Sequence, residues 1–324
     1  MNLRTTQIGS SRVVSATSCL ALLALVAAVS SGCSIRRVAV NKLGDALAAG
    51  GASFATDDDP DLVKDAAPFS LKLMESLIAE SPRHKGLRYA TASGFTQYAY
   101  AFVQLESEEI ESKDLQAATA LRQRARRLYL RARNHGLRGL EVTYPGLEQR
   151  LRSNARMAAK ELGVKDVPLI YWTAVAWAAS ISVSKDNPEA VADLPVAEAL
   201  MDRALELDEN YADGSIHGFL ITYEMSRKGV PGDPAQRARK HFDRAVEITH
   251  GQRAGPFLSL AEAVSVPEQN RAEFDALLGR ALAINPDAKP EWRLENLVMQ
   301  KRARWLLGRV DDLILPPLPA EEKP

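Results

Sequence analysis

The run from Gly50 to Glu106, GGASFATDDDPDLVKDAAPFSLKLMESLIAESPRHKGLRYATASGFTQYAYAFVQLE, decides how the rest of the chain is read. Its apolar residues recur at helical spacing on both sides of Ser81-Pro82, a pair that closes one helix and turns the chain toward the next. The stretch therefore predicts an antiparallel hairpin of two amphipathic helices. Asp57-Asp58-Asp59-Pro60 reads as a helix start, with an aspartate N-cap, proline in the first turn, and negative charge at the positive end of the helix dipole. The spacing predicts a short helix opened by this cap. A longer one then runs from Pro68 and buries Phe69, Leu73, Met74, Leu77 and Ile78. Three consecutive aspartates also invite a cation. Calcium loops, however, place oxygens at alternate positions and add a glycine turn and a distal glutamate, which this run lacks. Capping is the reading carried forward, and no metal is expected.

The pattern of the hairpin continues. No sustained period-two alternation marks a strand anywhere, while Ala, Leu, Glu and Arg are abundant and helical spacing recurs. Five segments share a large apolar residue followed three positions later by a small or apolar one: Met74/Leu77, Tyr129/Ala132, Met201/Ala204, Phe242/Ala245 and Leu278/Ala281. Each precedes a turn signal. The small residue lets two helices approach closely, and the large one fills the groove between hairpins. The last three sit in matching sequences beginning at Arg203, Arg244 and Arg280, a spacing close to the tetratricopeptide (TPR) repeat. The fold class predicted is all-α, a TPR-like solenoid of helical hairpins with candidate units at 60–106, 114–162, 166–207, 210–250 and 256–309. Such units bury their apolar faces only by stacking, so residues 50–315 are read as one domain. The Pro-rich residues 316–324 form no regular element and are read as a disordered tail.

The N-terminus reads as an export signal. Arg4 and Arg12 precede the apolar run Leu20–Val29, which is too short for a membrane span of about 20 residues. Ser30-Ser31-Gly32-Cys33 follows and resembles a bacterial lipobox, departing from it in having Ser30 where an aliphatic residue is usual. Residues 1–32 are thus read as a lipoprotein signal peptide, Cys33 as the lipidated residue, and 33–49 as a tether with a short helix. Ser34 in place of aspartate points to the outer membrane, with the domain facing the periplasm. Cys19 and Cys33 are the only cysteines, so no disulfide framework holds the folded body. The 41 basic and 41 acidic residues balance, which argues against a nucleic-acid binder.

Chemistry is sparse. The histidines at 84, 135, 217, 241 and 250 show no metal-ligand spacing, and no nucleophile, phosphate or dinucleotide motif occurs. Neither a catalytic residue nor a cofactor is expected. Val167–Val183 is uncharged, but short for a span, and reads as a buried central helix. If an apolar ligand is held, Tyr98, Phe102, Tyr171, Trp172 and Trp177 are the cavity candidates, with plain core packing as the competing reading. Ten arginines fall between Arg122 and Arg156 against Glu141 and Glu148. They read either as a solvated helix face paired to acids on other helices or, at Arg122, Arg126 and Arg127, as a docking surface for an acidic partner.

The opening stretch also resembles the TRAP-transporter T-component (TatT) family. The residues that carry the likeness are Gly50-Gly51, Phe54-Ala55 with Asp57–Pro60, Ala67-Pro68-Phe69, Glu75, Leu77, Ser81-Pro82, and Ser93-Gly94-Phe95 with Tyr98-Ala99. Asp213-Gly214 and Asn285-Pro286 fit less distinctively. The resemblance implies a cryptic-TPR periplasmic lipoprotein that assembles as a homotrimer, with a pore through each protomer. It implies docking to the solute-binding protein of a TRAP transporter and passage of small apolar molecules or organic acids. The family offers no catalytic motif, so only the lipidated Cys33 is carried over. The alternative is a structural TPR scaffold for envelope assembly with no ligand role.

Overall fold

The computed structural model describes residues 40–47 and 51–315. The predicted signal segment, Cys33, most of the tether and the tail lie outside the described residues. Among the described residues, every regular element is helical.

A short helix α1 (40–47) and α2 (Gly51–Ala55) precede the first hairpin, α3 (Pro60–Glu80) and α4 (Lys85–Ala99). The chain then passes through a wide π-helical turn at Tyr100–Gln104 into α5 (Leu105–Ile110). The second unit is α6 (Leu115–Glu141) with α7 (Leu147–Ser153) and α8 (Ala155–Ala159), and the third is α9 (Val167–Ser182), α10 (Pro188–Ala192) and α11 (Leu194–Leu207). The fourth pairs α12 (Tyr211–Glu224) with α13 (Pro234–Thr249). The last comprises α14 (Gly255–Leu260), a second π turn at Ala261–Ser265, α15 (Arg271–Leu282), α16 (Arg293–Leu307) and α17 (Val310–Leu313).

The start of α3 follows from its cap. The Asp59 carboxylate accepts hydrogen bonds from the backbone N–H groups of Asp61 and Leu62, using donors that have no partner within the helix. The helix does not restart at Pro68, however. It runs unbroken from Pro60, because the lost N–H bond and the ring's clash with the preceding turn are local costs that the packing of a 21-residue helix outweighs. The buried stripe is accordingly Val63, Ala67, Leu71, Met74, Leu77 and Ile78, and Phe69 is 73% exposed. A phase set from Pro68 had put Phe69 and Leu73 on the wrong side.

The ten residues picked out by the repeat are all buried, from Met74 and Leu77 to Leu278 and Ala281. The uncharged segment is buried as expected. At 16 residues, α9 is about 24 Å long at 1.5 Å per residue, with buried side chains around its whole circumference. No described helix is long and apolar enough to cross a membrane. Three apolar clusters succeed one another along the array: around α3, α4 and the first half of α6; around α9 and α11; and around α13 to α16.

One feature goes beyond stacking of neighbours. The last unit also meets the first, so the array closes on itself. The Arg293 guanidinium donates to the Thr56 carbonyl at 2.9 Å, and Arg302 pairs with Glu108 at 2.6 Å. Leu105 and Phe102, from the first hairpin, pack into the apolar cluster of the last one.

Candidate functional site

Closure brings the two π turns, one from the first unit and one from the last, to either side of Arg302. A π turn accommodates one extra residue per turn and re-aims the side chains that follow, and such turns recur at functional positions. Here they present Tyr100 and Glu262. Tyr100 keeps 39% of its surface accessible, although it lies deep enough for burial to raise its phenol well above the ordinary value, with Glu262 and Glu108 adding to the shift. Glu262 is similar: its side chain is 32% accessible, and burial raises its carboxyl against the pull of Arg302.

Arg302, on α16, acts as a fork. Its Nη2 donates to Glu262 at 2.7 Å and to Glu108 at 2.6 Å, and its Nε donates to Glu262 at 3.2 Å. The side chain is only 6% exposed, and Nη1 has no hydrogen-bond partner. A second fork, from the loop between α13 and α14, meets the same helix. Arg253 donates to Glu295 through Nη2 at 2.6 Å and Nε at 3.2 Å, while its Nη1 holds the carbonyls of Ala212 and Asp213 and the Ser215 hydroxyl. Ala212, Asp213 and Gly214 are all left-handed, with φ of 48°, 55° and 77°. Only the glycine adopts this without steric cost. The two strained residues are held by Arg253 and by Trp292, whose indole N–H donates to the Asp213 carboxylate at 3.1 Å. Tyr171 completes this corner, its hydroxyl donating to the Ser215 carbonyl at 3.3 Å and its phenol raised by burial.

The predicted cavity aromatics divide. Tyr171 and Trp172 meet edge to face at 5.1 Å, and Tyr171 also meets Tyr211 at 5.3 Å. Tyr98 and Phe102 are a second pair at 5.7 Å next to Tyr100. Trp177 has a different place: it is 1% exposed in the α9–α11 core, donates to Asp193 at 3.2 Å, and is flanked by the guanidinium groups of Arg133 and Arg152. It is thus packed against α10 and two guanidinium groups, apart from the other four candidates. Its position on α9 directs it to α10, whereas Tyr171 and Trp172 point toward α12.

Much of the arginine run is paired with acids on neighbouring elements: Arg122 with Glu111, Arg131 with Glu75, Arg150 with Glu161, and Arg152 with Asp193. Of the three docking candidates, Arg122 is therefore partly neutralised. Arg126 has a buried Nε without a partner, and Arg127 is exposed with no ion pair among the described residues.

The inner charges Glu108, Arg253, Glu262, Glu295 and Arg302 were not singled out from sequence. One signal was available: Glu262 stands alone in the apolar run Leu258–Val266, where an unpaired acid is costly. A histidine pair was also missed. His217 Nδ1 and His241 Nδ1 lie 2.9 Å apart between α12 and α13, 24 residues apart in sequence. One ring must donate and the other accept, so the two cannot both be protonated while the contact holds. Burial lowers both, His241 to about 4, with His217 as its next cause. Glu209 partly offsets this for His217 and Glu224 for His241, while Arg244 and Arg227 reinforce it. The folded state then binds fewer protons than the unfolded one below the unfolded histidine value near 6.5. Stability should be flat above pH 6.5 and fall as pH drops toward 4, by roughly 2 kcal/mol at pH 4.5 after allowing for partial exposure. Urea midpoints at pH 7 and 5 read this directly. His241→Gln should shrink the difference between them, and an unchanged difference would remove the pair as its source.

Among the described residues no group of three or more His, Cys, Asp or Glu is placed to hold a metal ion. What the fold defines is an all-helical array of stacked hairpins whose last unit meets the first. The family model for the TRAP transporter T-component matches residues 56–314, and the chain belongs to that family. It is thereby an accessory component of a TRAP transporter. A protein of Treponema pallidum (strain Nichols), described as uncharacterized, is 29% identical over 303 residues, covering 88% of this chain and 94% of its own.

Proposed function

We propose that this chain is a lipid-anchored, periplasm-facing accessory protein that docks the solute-binding protein of a TRAP-type uptake system and passes a small ligand through the closed array. The observation that carries the reading is the cluster around Arg302. Tyr100, Glu262 and Glu108 keep accessible surface around the nearly buried Arg302, where the first and last units meet, and the chain also carries the aromatic pairs Tyr98/Phe102 and Tyr171/Trp172. A scaffold that used only its outer surface would gain nothing from accessible charges held where desolvation is costly. The mixed lining suits a small molecule with an apolar body and a polar end, since rings supply contact area and a few placed polar groups fix orientation. Arg126 and Arg127 supply a cationic surface for an acidic partner.

The test is crosslinking in the intact envelope followed by identification of captured proteins. Recovery of a solute-binding protein, lost on charge reversal at Arg126 and Arg127, is the expected result. Recovery of envelope-assembly machinery with no solute-binding protein would overturn the reading in favour of a structural scaffold.

A further inference from the structure

The outer surface carries a second charged feature, which shares Arg127 with the docking surface proposed above and extends from it to residues the transport reading does not use. A groove of about 350 Å³ runs between α4 and α6, lined by Arg88, Arg127, Arg131, His135 and Arg138. Its three α6 arginines lie at 127, 131 and 138, which places them on one face of the helix. The acids in contact are Glu75, bonded to Lys72, Arg131 and His135, and Glu141, paired with Arg138. Burial lowers His135, so the imidazole is neutral and the guanidinium groups carry the charge. Cations outnumber acids, and Arg127 is unpaired among the described residues.

The groove stands at the end of the molecule where the N-terminal segment leaves. Helix α1 is fastened to the turn between α3 and α4. The Ser81 hydroxyl donates to Asn41 at 2.7 Å, His84 Nε2 lies 3.3 Å from Asp45, and Gly44 sits so close to Leu87 that a Cβ there would lie 2.8 Å from its Cδ1. The same turn holds the groove: Arg88 donates to the Pro82 carbonyl through Nε and Nη2, both at 3.2 Å, and approaches His135 at 3.1 Å. From Val40 only seven residues lead back to Cys33, a reach of about 25 Å at full extension. That short segment carries two further arginines, Arg36 and Arg37.

We infer that this groove is a membrane-contact site, taking the phosphate of anionic phospholipid headgroups on the bilayer that anchors the chain. The inference rests on the anchoring proposed above, which limits how far this end of the molecule can stand from the membrane. Guanidinium forks suit phosphate oxygens, and a cluster of arginines next to a tether gains from the negative surface potential. The contact orients the array on the membrane and leaves the α13–α16 side facing the periplasm.

The test uses the chain from residue 33 onward with Cys33→Ser, so that no acyl chain contributes. Cosedimentation with vesicles of phosphatidylglycerol and phosphatidylcholine, compared with phosphatidylcholine alone, should show binding to the anionic vesicles only, weakened by raised salt. Arg127→Gln with Arg138→Gln should reduce that binding roughly tenfold or more, at about a factor of several per basic residue near a charged bilayer. Lys240→Gln with Lys301→Gln removes the same charge from α13 and α16 and should leave binding unchanged. Equal loss in both pairs, no loss in the first, or no binding of the parent chain to anionic vesicles would each overturn the site. Anchoring is read separately, by labelling Cys33 with a tagged fatty acid in cells. A chain that is unlabelled there yet binds anionic vesicles through the groove sinks the anchor alone.

Discussion

Replacing Arg302 by methionine is expected to destabilise the protein by about 3 kcal/mol, the usual cost of removing one partner from a buried ion pair. Methionine keeps most of the aliphatic volume, so the loss isolates the charge. The guanidinium now binds Glu262 from the last unit and Glu108 from the first, 194 residues from it in sequence. Without it two carboxylates face each other in a space where burial already raises Glu262. The folded state would then hold a proton that the unfolded chain releases. Stability would therefore be greatest at low pH and fall as pH rises through the elevated folded value, making the loss larger at pH 8 than at pH 5. Glu262→Gln and Glu108→Gln added to Arg302→Met should recover most of the difference. Faster amide exchange in 100–110 and 293–307 would show that the closure, rather than one helix, has loosened. A loss below about 1 kcal/mol at pH 8 would mean that the fork does not hold the two ends together.

That closure marks where the sequence stopped being informative. Local rules were sufficient for the hairpins. The Asp59 cap, the Ser81-Pro82 turn and the large-to-small repeat each act within a few residues, and each is where those rules place it. Pro68 misled because a proline's cost is local, while the packing that overrides it comes from α4 and the rest of the array. The inner charges were harder for a related reason. Arg302 and Glu108 look like any solvated helix residues until the last hairpin is brought against the first, and the one local hint, Glu262 alone in an apolar run, does not say what it meets. His217 and His241 are hidden in the same way, since their contact depends on how α12 and α13 pack. Tyr171 and Trp172 were legible as aromatic positions of α9. Which neighbours Tyr171, Trp172 and Trp177 each meet required the facing helices, because a helix that is apolar on all sides carries no phase.

The centre of the array depends on how closely α6 and α9 approach, and Gly136→Ala probes this directly. A Cβ on Gly136 would lie 2.1 Å from Thr173 Oγ1, 3.1 Å from its Cβ and 3.3 Å from its Cα. In an exposed helix this change would stabilise by about 1 kcal/mol through helix propensity. Here the threonine would have to turn away from the Leu169 carbonyl that its hydroxyl bonds, leaving a buried donor unpaired, and the backbone contact would persist even then. The expected result is a net loss of about 2 kcal/mol in chemical unfolding, within the usual cost of overpacking. Gly136→Ala combined with Thr173→Ala removes the clashing hydroxyl and should restore about half, a coupling that a double-mutant cycle isolates. The consequence reaches beyond this pair of helices, because α9 also carries Tyr171 to the Ser215 carbonyl beside the strained Ala212–Gly214 segment. A shift of α9 by a few tenths of an ångström would lengthen that bond and alter tyrosine fluorescence at Tyr171, along with its neighbour Trp172. A stabilised Gly136→Ala variant would show instead that the helices have room to spare, and that the glycine is not what sets their spacing.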